Sequence, residues 1–236
     1  MIFVVTILTL ILQGDNPIPS SNAFIVKNSL DSLHILVTIK YPDDFPDNLK
    51  KNSFLWEQVI ADFKQREKKR QQKFRLIGDQ DSTIHYDYAL NFFLVDSHFG
   101  EEKTDQSMRM ATMKKIVTVY DVEAGQHKRA DLDYSADVTR TKNSVNCTGS
   151  IVLTINESGD DSLLLKKLFY GKYTWQNEYV TFQGDKEALS NEELQLSRNR
   201  AQEPPTRKDL FQALLEIIYR DISAALDSFF KVKKGF

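Results

Sequence analysis

His85 and Asp87 are the pair of residues whose types and spacing come nearest to catalytic or metal-binding chemistry. They lie two apart in a segment that predicts a strand, so both side chains would point to one face of a sheet. A hydrolase-like site or a metal site needs a further nucleophile or ligand at a diagnostic spacing, and the sequence has no such motif. A solvated strand face is therefore the favoured interpretation, and a shallow enzymatic site near His85 and Asp87 is the alternative.

The other acidic residues and the cysteine predict no further chemistry. Acidic pairs such as Asp43-Asp44 and Asp160-Asp161 fall in predicted turns, whereas general acid–base catalysis needs two carboxylates that face each other in a cleft. Cys147 is the single cysteine, which excludes both an intrachain disulfide and a metal site built from several cysteines. The sequence therefore predicts neither a metal site nor a cofactor.

The segment from Gly171 to Asp185 is the densest in aromatic residues. On a strand, Tyr173, Trp175 and Tyr179 would share one face, because alternate side chains point the same way. That face is a candidate recognition surface if it is exposed, and it is part of the core if a helix covers it. Burial is the favoured alternative, since buried aromatic residues are the commoner case.

A cluster of cations in a predicted helix is the second candidate surface. Five of its side chains are candidates for contact with an anionic lipid surface: Lys64, Arg66, Lys69, Arg70 and Lys73. A solvated helix face is the favoured interpretation, because a run of charges in a helix is usually solvated. The net charge of −2 and the pI near 6.1 argue against a dedicated nucleic-acid binder.

The apolar pattern predicts the elements that position these residues. With 41% hydrophobic residues in a chain of 236, a sizeable core is expected. Residues 33–40 predict a strand, and residues 53–73 predict a helix whose apolar positions recur at helical spacing. From Phe74 onward the period changes to two, and closely spaced strands separated by turns indicate an antiparallel meander.

The C-terminal part returns to a helical pattern. Ser190 with Glu193 and Thr206 with Asp209 are capping signatures, and the second of them begins a long apolar-faced helix over residues 207–231. We therefore predict an α+β fold, in which residues 33–236 form a single domain. Its antiparallel sheet of about five to seven strands is packed by an N-terminal helix and a long C-terminal helix.

The first twelve residues carry no charge and are mostly apolar, and a polar stretch with two prolines follows them. The pattern is typical of an export signal over residues 1–14 with a polar tether over 15–32, and a buried strand would also explain it. The run is too short to cross a bilayer, which takes about 20 apolar residues. Export to the periplasm or envelope is the favoured interpretation, and a cytoplasmic location is the alternative.

The order of strand, loop, helix, antiparallel strands and closing helix resembles that of small bacterial envelope lipoproteins. These are the curli-assembly and penicillin-binding-protein-activator kinds, and the nearest local likeness is the hairpin Thr118-Val-Tyr-Asp-Val-Glu-Ala-Gly125. Asp15 stands where those proteins carry a lipidated cysteine, so lipidation at that position is excluded and no functional residue is carried over.

The apolar start and the lack of a catalytic motif together predict the class of function. We expect a non-enzymatic accessory or binding protein of a bacterial cell envelope. Its expected partner is another envelope protein or an anionic lipid surface. The alternative is the hydrolase-like enzyme with a shallow site near His85 and Asp87.

Overall fold

The computed structural model describes residues 32–50, 53–70, 73–78, 85–159 and 162–232. The predicted export signal and all but the last residue of the predicted tether lie outside these residues. From Ser32 onward the chain forms one compact unit.

Six strands and four helices make up the described chain. In order they are β1 (Leu33–Lys40), the one-turn α1 (Asp47–Lys50), α2 (Phe54–Arg70), β2 (Phe74–Gly78), β3 (Tyr88–Phe99), β4 (Lys103–Asp121), β5 (Gln126–Glu157), β6 (Leu163–Gly184), a 3-10 turn (Lys186–Ala188), α3 (Asn191–Leu196) and α4 (Arg207–Val232). This is a mixed α/β fold with one sheet and a long C-terminal helix, as predicted. The predicted N-terminal helix is α2, which is short at 17 residues against the 26 of α4.

The prediction of a purely antiparallel sheet is wrong. The sheet order is β2-β1-β3-β5-β4, and β6 pairs with β5 as well. β1 runs parallel to both β2 and β3, while the pairs made by β5 are antiparallel. The physical reason lies in the connection, because α1 and α2 carry the chain back along the sheet before β2 begins. A helical crossover of this length joins parallel strands, whereas a tight turn joins antiparallel ones.

β5 organises the antiparallel part of the sheet. β4 pairs with its first part and β3 with its last part, so β3 and β4 lie end to end along one edge, separated by residues 100–102. β6 pairs with the other edge of β5, from Ala136 to Asn156. At its midpoint β5 therefore has a neighbour on both sides, and at its start β4 is its one neighbour among the described strands.

α4 lies across β5 and β6 and forms the main core with them. Phe211, Leu214 and Ile218 of α4 are fully buried there. Gly149 of β5 and Gly171 of β6 are directly opposite each other beneath the helix. A Cβ atom on Gly171 would come within 2.4 Å of Ile218 Cγ1, so glycine is needed for this close approach of helix and sheet.

A polar network joins α2 to α4 at the side of the core. The guanidinium of Arg66 is 3% exposed, and it donates hydrogen bonds to the carboxylates of Asp62 and Asp227. Arg66 also donates to the carbonyl oxygen of Ser223 at 2.7 Å, and the Tyr219 hydroxyl donates to Asp62 at 3.1 Å. Burial, and then the charge of Asp62, raise the pKa of Tyr219, so its hydroxyl stays protonated.

A second, smaller core lies on the opposite face of the sheet. Ala111, Ala136, Val138 and Val180 of the strands pack there against residues of the 3-10 turn and α3. The faces are opposite because Val138 and the main-core residue Val145 lie an odd number of positions apart in β5.

α3 is fixed to this face by the predicted capping box and by an ion pair. The Ser190 side chain accepts from the Glu193 backbone N–H, and Glu193 accepts in return from the Ser190 N–H. Arg109 of β4 donates two hydrogen bonds to the same carboxylate, at 2.8 and 2.6 Å. These bonds, first among them those of Arg109, hold the pKa of Glu193 at about 2.

Candidate interaction surface

The pairing of β6 with β5 ends at Ala136, and the pair formed by β4 and β5 continues beyond that residue towards the turn. Residues 113–121 of β4 and 126–134 of β5 pair with each other, and within the described chain no third strand joins them. We call this two-stranded ribbon, together with its turn at residues 122–125, the arm. At about 3.3 Å per residue the nine pairs extend for about 30 Å.

The tip of the arm is a closed turn. Gly125 has a φ of 62°, which suits glycine. The Asp121 carboxylate accepts hydrogen bonds from the backbone N–H groups of Glu123 and Ala124, both at 3.1 Å. It also accepts one from Lys128 Nζ at 2.7 Å, which is the main reason that the pKa of Asp121 is lowered. These contacts explain locally why the hairpin closes at this point.

The arm and residues 108–112 of β4, which we call its base, carry most of the exposed apolar surface. Of the twelve large hydrophobic residues that are exposed in the described chain, seven lie between Met108 and Leu132. Met108, Met110 and Ile116 are 77%, 70% and 67% exposed. Scattered exposed apolar residues are ordinary, but a contiguous group of them marks a surface that contacts another molecule.

Both faces of the arm contribute to this surface. The register places one set of alternating residues on one face: Met113, Val117, Val119, Ala130, Leu132 and Tyr134. Ile116 and Tyr120 lie on the other face, in line with Met108 and Met110. The first face continues the small core of Ala111 and Ala136 outward, beyond the part that the 3-10 turn covers.

The two edges of the arm differ in charge. The edge formed by β5 is rich in charged and titratable residues: His127, Lys128, Arg129, Asp131 and Asp133. The edge formed by β4 holds the uncharged run Ile116-Val-Thr-Val-Tyr120, with lysines before it and Asp121 after it. Charged edges resist pairing with other strands, while an uncharged β-branched edge favours it.

The structure places His85 and Asp87 just before β3 rather than within a strand. His85 is exposed, and the Asp87 carboxylate accepts the backbone N–H of His34 at 2.8 Å. The Asp87 N–H donates to the His34 carbonyl oxygen, also at 2.8 Å. Asp87 thus has a structural contact that ties the start of β3 to β1.

Tyr173 and Trp175 are partly buried and pack against the main core beneath α4. Tyr179 shares their face of β6 and is half-buried. Tyr173 and Trp175 therefore contact the protein's own core and are not free to form a recognition surface.

The five predicted cations of α2 and its end do not form one exposed patch. Arg66 is buried, and Arg70 donates to the Asp227 carboxylate at 2.9 Å, so both face α4. Lys64, Lys69 and Lys73 are exposed. The cationic charge that is available to a lipid surface is thus smaller than the sequence suggests.

Two cavities lie beside α2. One of about 500 Å³ opens between α2 and α4, and its lining includes Asp62, Glu216 and Tyr219. The other, of about 230 Å³, lies between α2 and β2 and is lined mainly by apolar residues such as Trp56 and Phe74. Neither contains His85 or Asp87. In the part of the chain that the structure describes, no three His, Cys, Asp or Glu side chains come together in a way that could hold a metal ion.

The sequence pattern predicts strands over residues 116–122 and 131–139 with a turn at Gly125 between them, but it does not predict the full length of β4 and β5 or the absence of a third strand beside them in the described chain. A usable signal was present, because β4 and the first 23 residues of β5 contain neither glycine nor proline. Two such stretches on either side of a single turn at Gly125 predict one long hairpin.

No family model matches the chain, and no curated protein matches it. Among solved structures, it is similar to a neuraminyllactose-binding hemagglutinin homolog from Helicobacter pylori, at 10% identity. The match covers 85% of this chain and 87% of that chain, with a TM-score of 0.32. A score this low assigns neither fold nor function.

Among the described helices, none has both the length and the apolar character that a membrane span requires.

Proposed function

We propose that this protein is a non-enzymatic accessory or binding protein of a bacterial cell envelope, and that it contacts a partner protein through the arm and its base. The observation that carries the binding role is the concentration of exposed apolar side chains on the arm and its base. Exposing Met108, Met110 and Ile116 to water disfavours a purely structural role, and contact with another protein would remove that cost.

The export half of the proposal rests on the sequence of the first twelve residues. They have the composition of the apolar region of a signal, and the polar, proline-containing stretch behind them fits a cleavage and tether region. Mass spectrometry of the protein purified from its native host tests this half. A mature start between Gly14 and Phe24 is expected, and an intact Met1 would contradict export.

The proposed contact with a partner protein is tested by site-specific photo-crosslinking in intact cells of the native host. A photoreactive residue replaces Met110 at the base of the arm, and in a matched variant it replaces Glu216, which is exposed on α4. A discrete crosslinked product is expected from position 110 and not from position 216. Equal labelling at both positions, or none at position 110, would contradict a partner site on the arm and its base.

The mass of the crosslinked product identifies the kind of partner. A product at the summed mass of this chain and a different protein supports the proposed function. A product at twice the mass of the chain reports contact between two copies, which is a separate property of the arm.

A further inference from the structure

The uncharged edge of the arm is self-complementary. We propose that two copies of this protein pair antiparallel through the β4 edges of their arms, with the two-fold axis at Thr118. This goes beyond the proposed function, because it uses the edge of the arm rather than its faces and holds whether or not a different protein binds those faces.

The outer edge of β4 presents peptide N–H and C=O groups that no strand of the described chain pairs. Within this edge, residues 116–120 combine β-branched and aromatic side chains with no charge, no glycine and no proline. Such a run is a template for adding a further strand. The β5 edge of the same arm is charged and is a poor template.

A two-fold axis through Thr118, perpendicular to the sheet, places residues at equal distances on either side of Thr118 opposite each other. Thr118 then faces Thr118 of the second copy, Val117 faces Val119, and Ile116 faces Tyr120. Threonine pairs and pairs of aromatic with β-branched residues are among those that stabilise antiparallel strands.

This register also places opposite charges across from each other. Lys115 faces Asp121 of the second copy, and the two-fold axis produces this pair twice. The Asp121 carboxylate already accepts from Lys128 and from the turn, and a carboxylate has capacity for a further donor. No other two-fold axis within residues 116–120 places Lys115 opposite an acidic residue of β4. The strand residues of the edge therefore favour this register, since Glu123, which an axis at Val119 would bring opposite Lys115, lies in the turn and not in β4.

Pairing would also stabilise the arm itself. A two-stranded ribbon without a covering layer is marginal in water, whereas three or more strands with an apolar face are stable. Two joined arms form a four-stranded sheet. The apolar residues of each face, Val117 and Val119 on one and Ile116 and Tyr120 on the other, then lie side by side across the joint.

Sedimentation of the full chain over a range of concentrations tests the pairing. The wild-type protein is expected to form a reversible dimer. Thr118→Lys places two lysines opposite each other and should raise the dimer dissociation constant about tenfold or more. Thr112→Lys is the matched control, because Thr112 is also exposed on the same face of β4 but lies outside the paired run. It should leave the dimer intact.

Cysteine crosslinking tests the register and does not depend on how Thr118→Lys folds. The native Cys147 is fully buried, and burial raises the pKa of its thiol to about 11, so it will not compete under mild oxidation. Thr118→Cys should form a disulfide-linked dimer, while Ile116→Cys and Thr112→Cys should not. A monomeric wild-type chain at every concentration, equal loss of the dimer in both lysine variants, or stronger crosslinking from Ile116→Cys would overturn the proposal.

Discussion

β5 passes through two regions of the molecule that differ in what surrounds them. In its last part, Val145, Ile151 and Ile155 are buried beneath α4, with β3 and β6 on either side. In its first part, within the arm, the same strand has β4 on one side and open space elsewhere in the described structure. One continuous backbone therefore belongs both to a core and to a projecting ribbon.

Residues in the buried part of β5 hold the fold together, whereas residues in the arm are available to other molecules. The core part of β5 alternates, with apolar residues facing α4 and, apart from Val152, small or polar residues facing away. The arm has apolar residues on both faces, and no element of the described chain covers either face. Substitutions in the arm should therefore change the free energy of unfolding little. Substitutions in most of the rest of the domain should leave association with another molecule unchanged.

The largest expected effect comes from the buried part of β5. Ile151 is 1% exposed and contacts the main core. Ile151→Ala removes buried methyl groups and leaves a cavity, so it should lower the free energy of unfolding by about 2–5 kcal/mol. Urea denaturation followed by circular dichroism measures this. A loss smaller than about 1 kcal/mol would break the distinction between the two parts of the strand.

An intermediate effect is expected where α3 holds the small core at the base of the arm. Glu193→Gln weakens both the capping box and the paired hydrogen bonds from Arg109. It should cost about 1–2 kcal/mol at neutral pH. Glu192→Gln is the matched control, because Glu192 is 67% exposed and its pair with Arg140 lies at the surface. That neighbouring substitution should change stability by less than about 0.5 kcal/mol.

The effect of Glu193 also has a defined pH dependence. Its pKa is about 2 in the folded protein against an ordinary value of 4.5. A lowered carboxyl pKa contributes stability that is fully present above pH 4.5 and is lost as the pH falls towards 2. The difference in unfolding free energy between the wild type and Glu193→Gln should shrink over this interval. A difference that stays constant down to pH 2 would contradict the ion pair.

The smallest effect on stability is expected in the arm. Ile116→Ala is chemically the same change as Ile151→Ala, but Ile116 is 67% exposed. The free energy of unfolding should change by no more than about 0.5 kcal/mol. Urea denaturation at a concentration where the protein is monomeric checks this. A loss as large as that of Ile151→Ala would show that the arm is covered in solution.

Local signals predicted part of this fold well. β1 has the predicted bounds, and both capping signatures are present, with Ser190 and Glu193 bonded reciprocally and Thr206 bonded to Asp209. These features depend on neighbouring residues, so the sequence carries them directly. The direction of β1 depends on a crossover through α2, and the position of that crossover in space is set by packing of distant residues.

The candidate surface was harder to predict for a related reason. Whether Ile116 and Met110 are core or surface depends on whether another element lies over them, and no local pattern reports that. The same holds for Arg66, whose neighbours in sequence suggest a solvated cation. Only the packing of α2 against α4 brings it to Asp227 and buries it.

The continuity of β5 has a mechanical consequence. Between the turn at Gly125 and the glycine beneath α4, the strand contains no glycine or proline that could act as a hinge. We therefore expect the arm to behave as a stiff lever rather than a tethered flap. A load applied at its tip would be transmitted along the strand as shear on the ladders that β5 forms with β3 and β6, directly beneath Leu214 and Ile218.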